Sequence, residues 1–360
     1  MFEAFSFSDN SNDYRTTALR RIRDGSVDLV GKVVVITGGT GALGKQLAQA
    51  MYHGGATVVI TARSASKGEK AKAEILEQPI PASEEFSNPK TSQGSIVPMV
   101  MDLLDYESIE AFSKELKEKF PGGIYTLINN AGMVPGSAYK PSKYGVDTTF
   151  QSNFVSTVFL TELLIPQLKN FATKNKTNAR IINVSSMSHA NASKPIKWET
   201  IPSTENTFGG YNKDYAESKW LLTAYTCHLS RRSDMKDTVG AYSADPGVSP
   251  DSSMWDQQIF VIRFMARYVF YHLTKKSNQA AGCAAHLVAA DEATIESGGY
   301  YQSGVLVPPM REDTRPLPNG TRRQRPSTTT MYYQKKSKLS LRTRIVQLII
   351  FMFLSLASLP

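Results

Sequence analysis

From residue 31 to residue 305 the chain alternates short β-branched runs with stretches in which apolar positions recur at helical spacing. That alternation predicts a parallel sheet with helices on both faces. The run KVVVIT at 32–37 is apolar almost without interruption, as a central strand buried on both faces requires. Further strands are predicted at 57–61, 96–101, 124–128, 180–184 and 239–243, with helices at 43–53, 67–78, 106–120, 143–171 and 211–232. Residues 79–95 are too rich in Pro and Ser for an element and read as a surface insertion. No internal repeat is present, so the pattern predicts one α/β domain, doubly wound, over 31–310.

The two ends differ from this body. Residues 1–30 are polar and mixed in charge, lack the apolar stretch of a signal peptide, and read as an N-terminal extension. Lys and Arg number 41 against 32 Asp and Glu, a net charge of +9, yet residues 311–344 alone carry ten basic groups against Glu312 and Asp313, a net of +8. The folded body is therefore close to neutral, and no nucleic-acid partner is expected. Residues 311–344, rich in Arg, Pro, Ser and Thr, read as a basic disordered linker. It leads into 345–360, IVQLIIFMFLSLASLP, an uncharged apolar tail. At ~1.5 Å per residue this tail is short for a ~30 Å hydrocarbon core unless Leu339 and Leu341 join it and the arginines snorkel. Two readings stand: a tail anchor or monotopic insertion, and a C-terminal helix packed on the domain or on a second copy. The basic flank favours the cytoplasmic leaflet. An anchor would place the domain on the cytoplasmic face of a membrane, the endoplasmic reticulum or a lipid droplet; without one the location is cytoplasmic. Cys227 and Cys283 are far apart and give neither a disulfide framework nor metal spacing.

Between the first strand and the first helix lies TGGTGALG, from Thr37 to Gly44. Glycines at such a turn let the backbone close tightly and approach a pyrophosphate, whose charge meets the helix N-terminus. Thr37, Gly38, Gly39, Gly41, Leu43 and Gly44 are the candidate dinucleotide contacts, and the sheet is Rossmann-type on this reading. The second strand ends in Thr61-Ala62-Arg63, without the acidic residue that grips a ribose 2′-hydroxyl. Arg63 instead offers a cation to a 2′-phosphate, which favours NADP(H) over NAD(H), although an arginine there also suits a solvated surface. Asp102, after the third strand, suits either an adenine contact or a helix N-cap.

Tyr215 and Lys219 fall at i and i+4 of a predicted helix and share a face. A phenol with pKa near 10 exchanges protons at neutral pH only when a cation stabilises its phenolate, and Lys219 is placed to be that cation. Two further segments, Asn129-Asn130-Ala131-Gly132 and Asn183-Val184-Ser185-Ser186, close predicted strands, where α/β sheets hold their ligands. Together with TGGTGALG, these motifs make residues 28–305 resemble the short-chain dehydrogenase/reductase family.

That resemblance implies roles by position. Tyr215 resembles the general acid/base, Lys219 the residue that lowers its pKa and holds the nicotinamide ribose, and Ser186, rather than Ser185, the serine that hydrogen-bonds the reacting carbonyl. Asn153 resembles the asparagine that holds a water in the proton relay. Asn129, Ala131 and Gly132 resemble the segment bordering the cofactor, and Pro246, Gly247 and Val248 the loop that meets the nicotinamide amide. A homodimer through the helices bearing Asn153 and Tyr215 is also implied. Two positions depart from the family pattern: Ala42 stands where the core pattern has glycine, although Gly38, Gly41 and Gly44 satisfy the TGxxGxxG of extended members, and Asp251 stands where a threonine or serine is usual.

The 29 positions from Ser186 to Tyr215 include Trp198 and a Phe208-Gly209-Gly210-Tyr211 stretch. An insert of this length is similar to retinol-dehydrogenase-like and WW-domain-oxidoreductase-like members. Residues 259–273, IFVIRFMARYVFYHL, fall where the family places its substrate lid and read either as the wall of a lipophilic pocket or as a core helix. The resemblance implies hydride transfer between NADPH and a lipophilic carbonyl of retinoid, steroid or acyl-chain type. A non-catalytic NADP-binding scaffold at a membrane and an extended-type nucleotide-sugar epimerase or dehydratase are the alternatives.

Overall fold

The computed structural model describes residues 15–84, 94–134, 141–192, 213–249 and 275–309. Eight strands form one sheet in the order β3-β2-β1-β4-β5-β6-β7-β8. In chain order they are β1 (Val33–Ile36), β2 (Thr57–Ala62), β3 (Ser95–Val100), β4 (Thr126–Asn129), β5 (Ala179–Val184), β6 (Val239–Asp245), β7 (Tyr300–Gln302) and β8 (Val305–Val307). All pairings are parallel except the last, where β8 folds back on β7. β1 lies between β2 and β4, with Val35 opposite Val59 on one side and Leu127 on the other. Val34, Val35 and Ile36 are fully buried, which is what an apolar run without alternation achieves between two helical layers. Strand order reverses between β1 and β4, so the crossovers leave to opposite faces there and a crevice opens at the strands' carboxyl ends.

The helices are α1 (Ala18–Arg23), α2 (Ala42–His53), α3 (Ala65–Glu77), α4 (Tyr106–Lys119), α5 (Thr148–Phe150), α6 (Ser156–Asn175), α7 (Lys213–Ser230), α8 (Ser277–Ala280) and α9 (Gly282–Ala289). Several expectations are corrected. The helix predicted over 143–171 begins only at Thr148, where Asp147 accepts the N–H groups of Thr149 and Phe150 at 2.8 and 3.0 Å; Pro141 and Asp147 before it form a β-bridge. Between α5 and α6 the chain makes one π-helical turn, Gln151–Val155. The stretch read as an N-terminal extension is in part core: Thr17 caps α1, which packs its buried Leu19 and Ile22 against the body beside α9. Within the supposed structureless insertion, Ala82–Glu84 form a short 3-10 turn. α8, α9, β7 and β8 were not anticipated, being too short or too alanine-rich to show a clear period. From Asp214 to Cys227, α7 is buried throughout.

Trp198, the Phe208–Tyr211 stretch, Asp251, the lid segment 259–273, the linker and the tail all lie outside the described residues. Among the described residues, no helix is long and apolar enough to cross a membrane.

Arg180 shows how the far end of the sheet is fixed. It is buried on β5, and its guanidinium donates to the carbonyls of Leu287, at 2.6 Å, Val288, at 3.0 Å, and Ala290, at 2.8 Å. These carbonyls close α9, where the helix dipole is negative, and the cation also lies 5.6 Å from the centre of the Tyr125 ring. Arg180→Met is expected to leave the Leu287 and Ala290 carbonyls without this donor, the Val288 carbonyl keeping the Tyr125 hydroxyl at 3.0 Å, and to cost about 3 kcal/mol, read as a lowered denaturation midpoint with the slope unchanged.

Candidate active site

The turn after β1 is shaped by steric necessity at two glycines. Gly38 has φ +65°, and a Cβ there would stand 3.0 Å from the Cα of Ala131. A Cβ on Gly44 would fall 2.3 Å from the Gly38 carbonyl oxygen, so α2 approaches the turn this closely only because Gly44 has no side chain. Gly41 is the N-cap of α2 and has no side chain to meet the first-turn N–H groups, which leaves the helix N-terminus available to an anion. Ala42, the departure from the core pattern, is the first residue of α2, and it lines the same cleft. These features fit a dinucleotide pyrophosphate.

The cleft, ≈ 760 Å³, runs along the carboxyl ends of the strands. Of the candidate contacts, Gly38, Gly41, Leu43 and Gly44 line it, as do Arg63, Asp102, Ala131 and Gly132, then Ser186, Tyr215 and Lys219, and finally Pro246, Gly247 and Val248. Thr37, Gly39, Asn129 and Asn153 do not line it; they stand behind its wall. Thr37 accepts the Ala131 N–H at 2.9 Å, and Gly39 is packed so tightly that a Cβ would meet Ile60 at 2.5 Å. Asn129 donates to Thr161 Oγ1 and Asn183 Oδ1, at 2.9 and 2.8 Å, and so ties β4 to α6 and β5. Asn153 sits in the π turn and uses its amide on Met133: Oδ1 accepts the Met133 N–H at 2.8 Å and Nδ2 donates to the Met133 carbonyl at 2.9 Å.

Ser185 and Ser186 separate clearly. Ser185 is buried and bonds toward α7, with Lys219 O at 3.3 Å and Thr223 Oγ1 at 2.7 Å. Ser186 caps the short turn Met187–Asn191 by accepting the Ser188 N–H, and its hydroxyl reaches Ser188 Oγ at 3.2 Å. Lys219, 4 % exposed, donates to the Val184 carbonyl at 2.8 Å and lies 5.8 Å from the centre of the Tyr215 ring. Burial pulls its pKa down from 10.5 to about 8, against the opposing field of Asp245. Gly132 leaves the room this ammonium needs, since a Cβ there would stand 3.3 Å from Nζ.

Asp102 is not the cap of α4, which is Asp105, accepting the Glu107 N–H. Asp102 instead closes its own turn by accepting the Leu104 N–H at 2.9 Å, and stays on the cleft wall. Sequence reasoning missed Thr61, whose hydroxyl accepts the Gly38 N–H at 3.1 Å, and Asn130, whose amide donates to the Thr37 carbonyl at 2.8 Å; both brace the glycine turn. It also missed Lys67 and Lys70, which line the cleft with Arg63. Their place in the first turn of a predicted helix just after Arg63 was the available signal.

A family model described as short chain dehydrogenase matches residues 32–196. Retinol dehydrogenase 12 of Bos taurus is 30 % identical over 76 % of this chain and 78 % of its own length. Retinol dehydrogenase 11 of Homo sapiens is 29 % identical over 77 % and 78 %. Among solved structures, the RhlG/NADP active-site complex of Pseudomonas aeruginosa superposes with a TM-score of 0.58 at 20 % identity, covering 76 % of this chain and 94 % of that one. A 3-ketoacyl-(acyl-carrier-protein) reductase from Brucella melitensis complexed with NADH gives 0.53 at 21 % identity, covering 76 % and 96 %. The chain belongs to the short-chain dehydrogenase/reductase family, retinol-dehydrogenase-like in its relatives, and is an oxidoreductase acting on CH–OH groups with a nicotinamide cofactor.

Proposed function

We propose that the protein is an NADP(H)-dependent reductase of lipophilic aldehydes or ketones, of retinoid, steroid or acyl-chain type. The carrying observation is that Ser186, Tyr215 and Lys219 line one cleft with the glycine turn and with the basic group Arg63, Lys67 and Lys70. A scaffold has no physical need of the first three, and an epimerase of the extended type is not favoured by retinol-dehydrogenase relatives.

Gly38, Gly41, Gly44 and the N-terminus of α2 would hold the pyrophosphate, Lys219 the nicotinamide ribose, and Pro246, Gly247 and Val248 the amide. When bound, NADPH supplies a hydride to the carbonyl carbon. Ser186 donates a hydrogen bond to the carbonyl oxygen, and Tyr215 delivers the proton that this oxygen requires as the hydride arrives. The buried ammonium of Lys219 stabilises the phenolate left behind. Asn153 acts behind the wall, holding the backbone at Met133 in place. The lipophilic substrate and the attachment of the tail to a cytoplasmic membrane surface belong to one reading, since a lipid-soluble carbonyl is found where an apolar tail would take the enzyme. Exposed Met187 and Val248, in or beside the cleft-lining loops, suit such a substrate.

The test is a fluorescence titration of NADPH and NADH into the full chain, followed by a panel of lipophilic carbonyls. NADPH binding with turnover of panel members supports the reading; binding without turnover favours the scaffold, and absence of binding overturns both. Cofactor choice is tested at the end of β2, where Arg63 is exposed and neither Thr61 nor Ala62 is acidic. Arg63→Asp is expected to weaken NADPH binding by about 30-fold and to strengthen NADH binding, since a charge-assisted contact to the 2′-phosphate is replaced by repulsion. Equal Kd changes for the two cofactors would show that Arg63 is a solvated surface group.

A further inference from the structure

Asp245 is the last residue of β6 and directly precedes Pro246 and Gly247. It is 2 % exposed, does not line the cleft, and accepts three hydrogen bonds: from the Gly247 N–H at 2.8 Å, the Tyr300 hydroxyl at 2.6 Å and the Gln302 amide at 2.9 Å. Gly247 has φ +72°, so the loop doubles back on this carboxylate, and the Val248 carbonyl is held by the Lys275 N–H at 3.0 Å. The loop's geometry therefore depends on where the carboxylate is fixed, and Tyr300 and Gln302 of β7 fix it.

Tyr300 also reaches the other side of the site. Its ring lies 4.9 Å from that of His189, at an interplanar angle of 59°. His189 is fully buried in the turn after β5, and the Ser186 carbonyl is shared by the His189 N–H, at 3.1 Å, and its ring Nδ1, at 2.8 Å. A carbonyl only accepts, so Nδ1 carries its proton here. A continuous chain of contacts thus runs from Gly247 through the buried Asp245, Tyr300 and His189 to Ser186. Burial and the adjacent carboxylate push the Tyr300 phenol far above its ordinary pKa, so it remains a donor rather than a proton-transfer group.

We propose that Tyr300 and Asp245 are positioning residues, which hold the Pro246–Val248 loop and the Ser186 turn in one register so that the nicotinamide and the carbonyl oxygen meet at a fixed geometry. The proposal rests on the reductase reading above. Neither residue lines the cleft; each acts through Gly247 and Ser186, and Asp245 also adds its field at Lys219. Small misplacement at a reacting centre costs far more in rate than in binding, and the effect should fall on one half of the cofactor.

The experiment compares the full chain with Tyr300→Phe, which keeps the ring and removes the hydroxyl, and with Asp245→Asn, which keeps the shape and weakens the acceptor. Three measurements are made: affinity for NADPH, affinity for 2′,5′-ADP, which lacks the nicotinamide half, and the facial selectivity of hydride transfer from NADPH deuterated on one face of C4. Expected are a loss of NADPH affinity of about tenfold, a kcat lowered at least as much, reduced facial selectivity, and 2′,5′-ADP affinity unchanged within about twofold. Equal losses for NADPH and 2′,5′-ADP, with selectivity intact, would mean a merely structural role and overturn the proposal, as would variants that match the wild type. If Tyr300→Phe fails to fold, Asp245→Asn carries the comparison through the two affinities and the facial selectivity, since its kcat also registers the lost field at Lys219. A wild-type chain that binds no NADPH overturns the underlying reading and this proposal with it, whereas a wild type that turns over beside unaffected variants overturns the proposal alone.

Discussion

Tyr215→Phe is expected to lower kcat by about a thousandfold while leaving the Kd for NADPH within about twofold and the thermal midpoint within a degree or two. The size follows from the chemistry: reduction places negative charge on the carbonyl oxygen, and a positioned donor that delivers a proton as this charge forms is worth two to four orders of magnitude in rate. The selectivity follows from the structure. Tyr215 is 6 % exposed, with Lys219 Nζ 5.8 Å from its ring centre, so phenylalanine keeps the packing and loses only the oxygen. Single-turnover oxidation of bound NADPH, followed by fluorescence with a lipophilic aldehyde present, separates the chemical step from cofactor release. A variant with kcat within tenfold of wild type would place proton delivery elsewhere, on Ser186 or on solvent, and would leave Tyr215 as a packing residue.

The sequence made the sheet legible because its central strands are buried on both faces, and such strands must be apolar throughout. β1 and β2 begin and end within one or two residues of their expected bounds. β7 and β8 were not legible, since three residues carry no period, and their place at the sheet's end is settled by Tyr300 and Tyr301 packing inward. The start of α5 was misplaced for a similar reason: residues 143–147 continue a helical pattern by composition, but the Asp147 carboxylate caps the first N–H groups and starts the helix there. At the site, Gly38, Gly41, Gly44 and the Tyr/Lys pair were readable through the order of the motifs on which the family resemblance rests, and one cleft brings them together. Distinguishing cleft-lining residues from those behind the wall was not possible, because Asn129 and Asn153 carry polar side chains that a sequence cannot show to be consumed by internal hydrogen bonds. Asp245 was invisible as more than a neighbour of the Pro-Gly pair, since its partners Tyr300 and Gln302 lie more than fifty residues away.

Lys219→Met is expected to abolish turnover and, at pH 7, to make the fold more stable. A lysine whose pKa falls from 10.5 in the unfolded chain to about 8 in the fold is held charged at a cost near 3 kcal/mol. The sign follows from proton counting. Below pH 8 both states are protonated and the full cost is present; between 8 and 10.5 the unfolded chain binds more protons, so stability rises with pH; above 10.5 the cost has vanished. Methionine fills similar volume without charge but leaves the Val184 carbonyl without the donor it now has at 2.8 Å, which returns about 1 kcal/mol. A net gain of about 2 kcal/mol at pH 7 is therefore expected, shrinking and then reversing as pH rises toward 10.5. Urea denaturation of both proteins at pH 7 and pH 10 measures it. The kinetic counterpart is that wild-type kcat/KM, which reports the free enzyme, falls as pH rises through about 8 and Lys219 loses its proton. A methionine variant less stable than wild type at pH 7 would show that the ammonium is well compensated by Val184 and Asp245, and the cause of its lowered pKa would then have to be sought outside burial. The stated outcome would instead identify Lys219 as a charge kept in the core at a loss of stability because the chemistry at Tyr215 requires it.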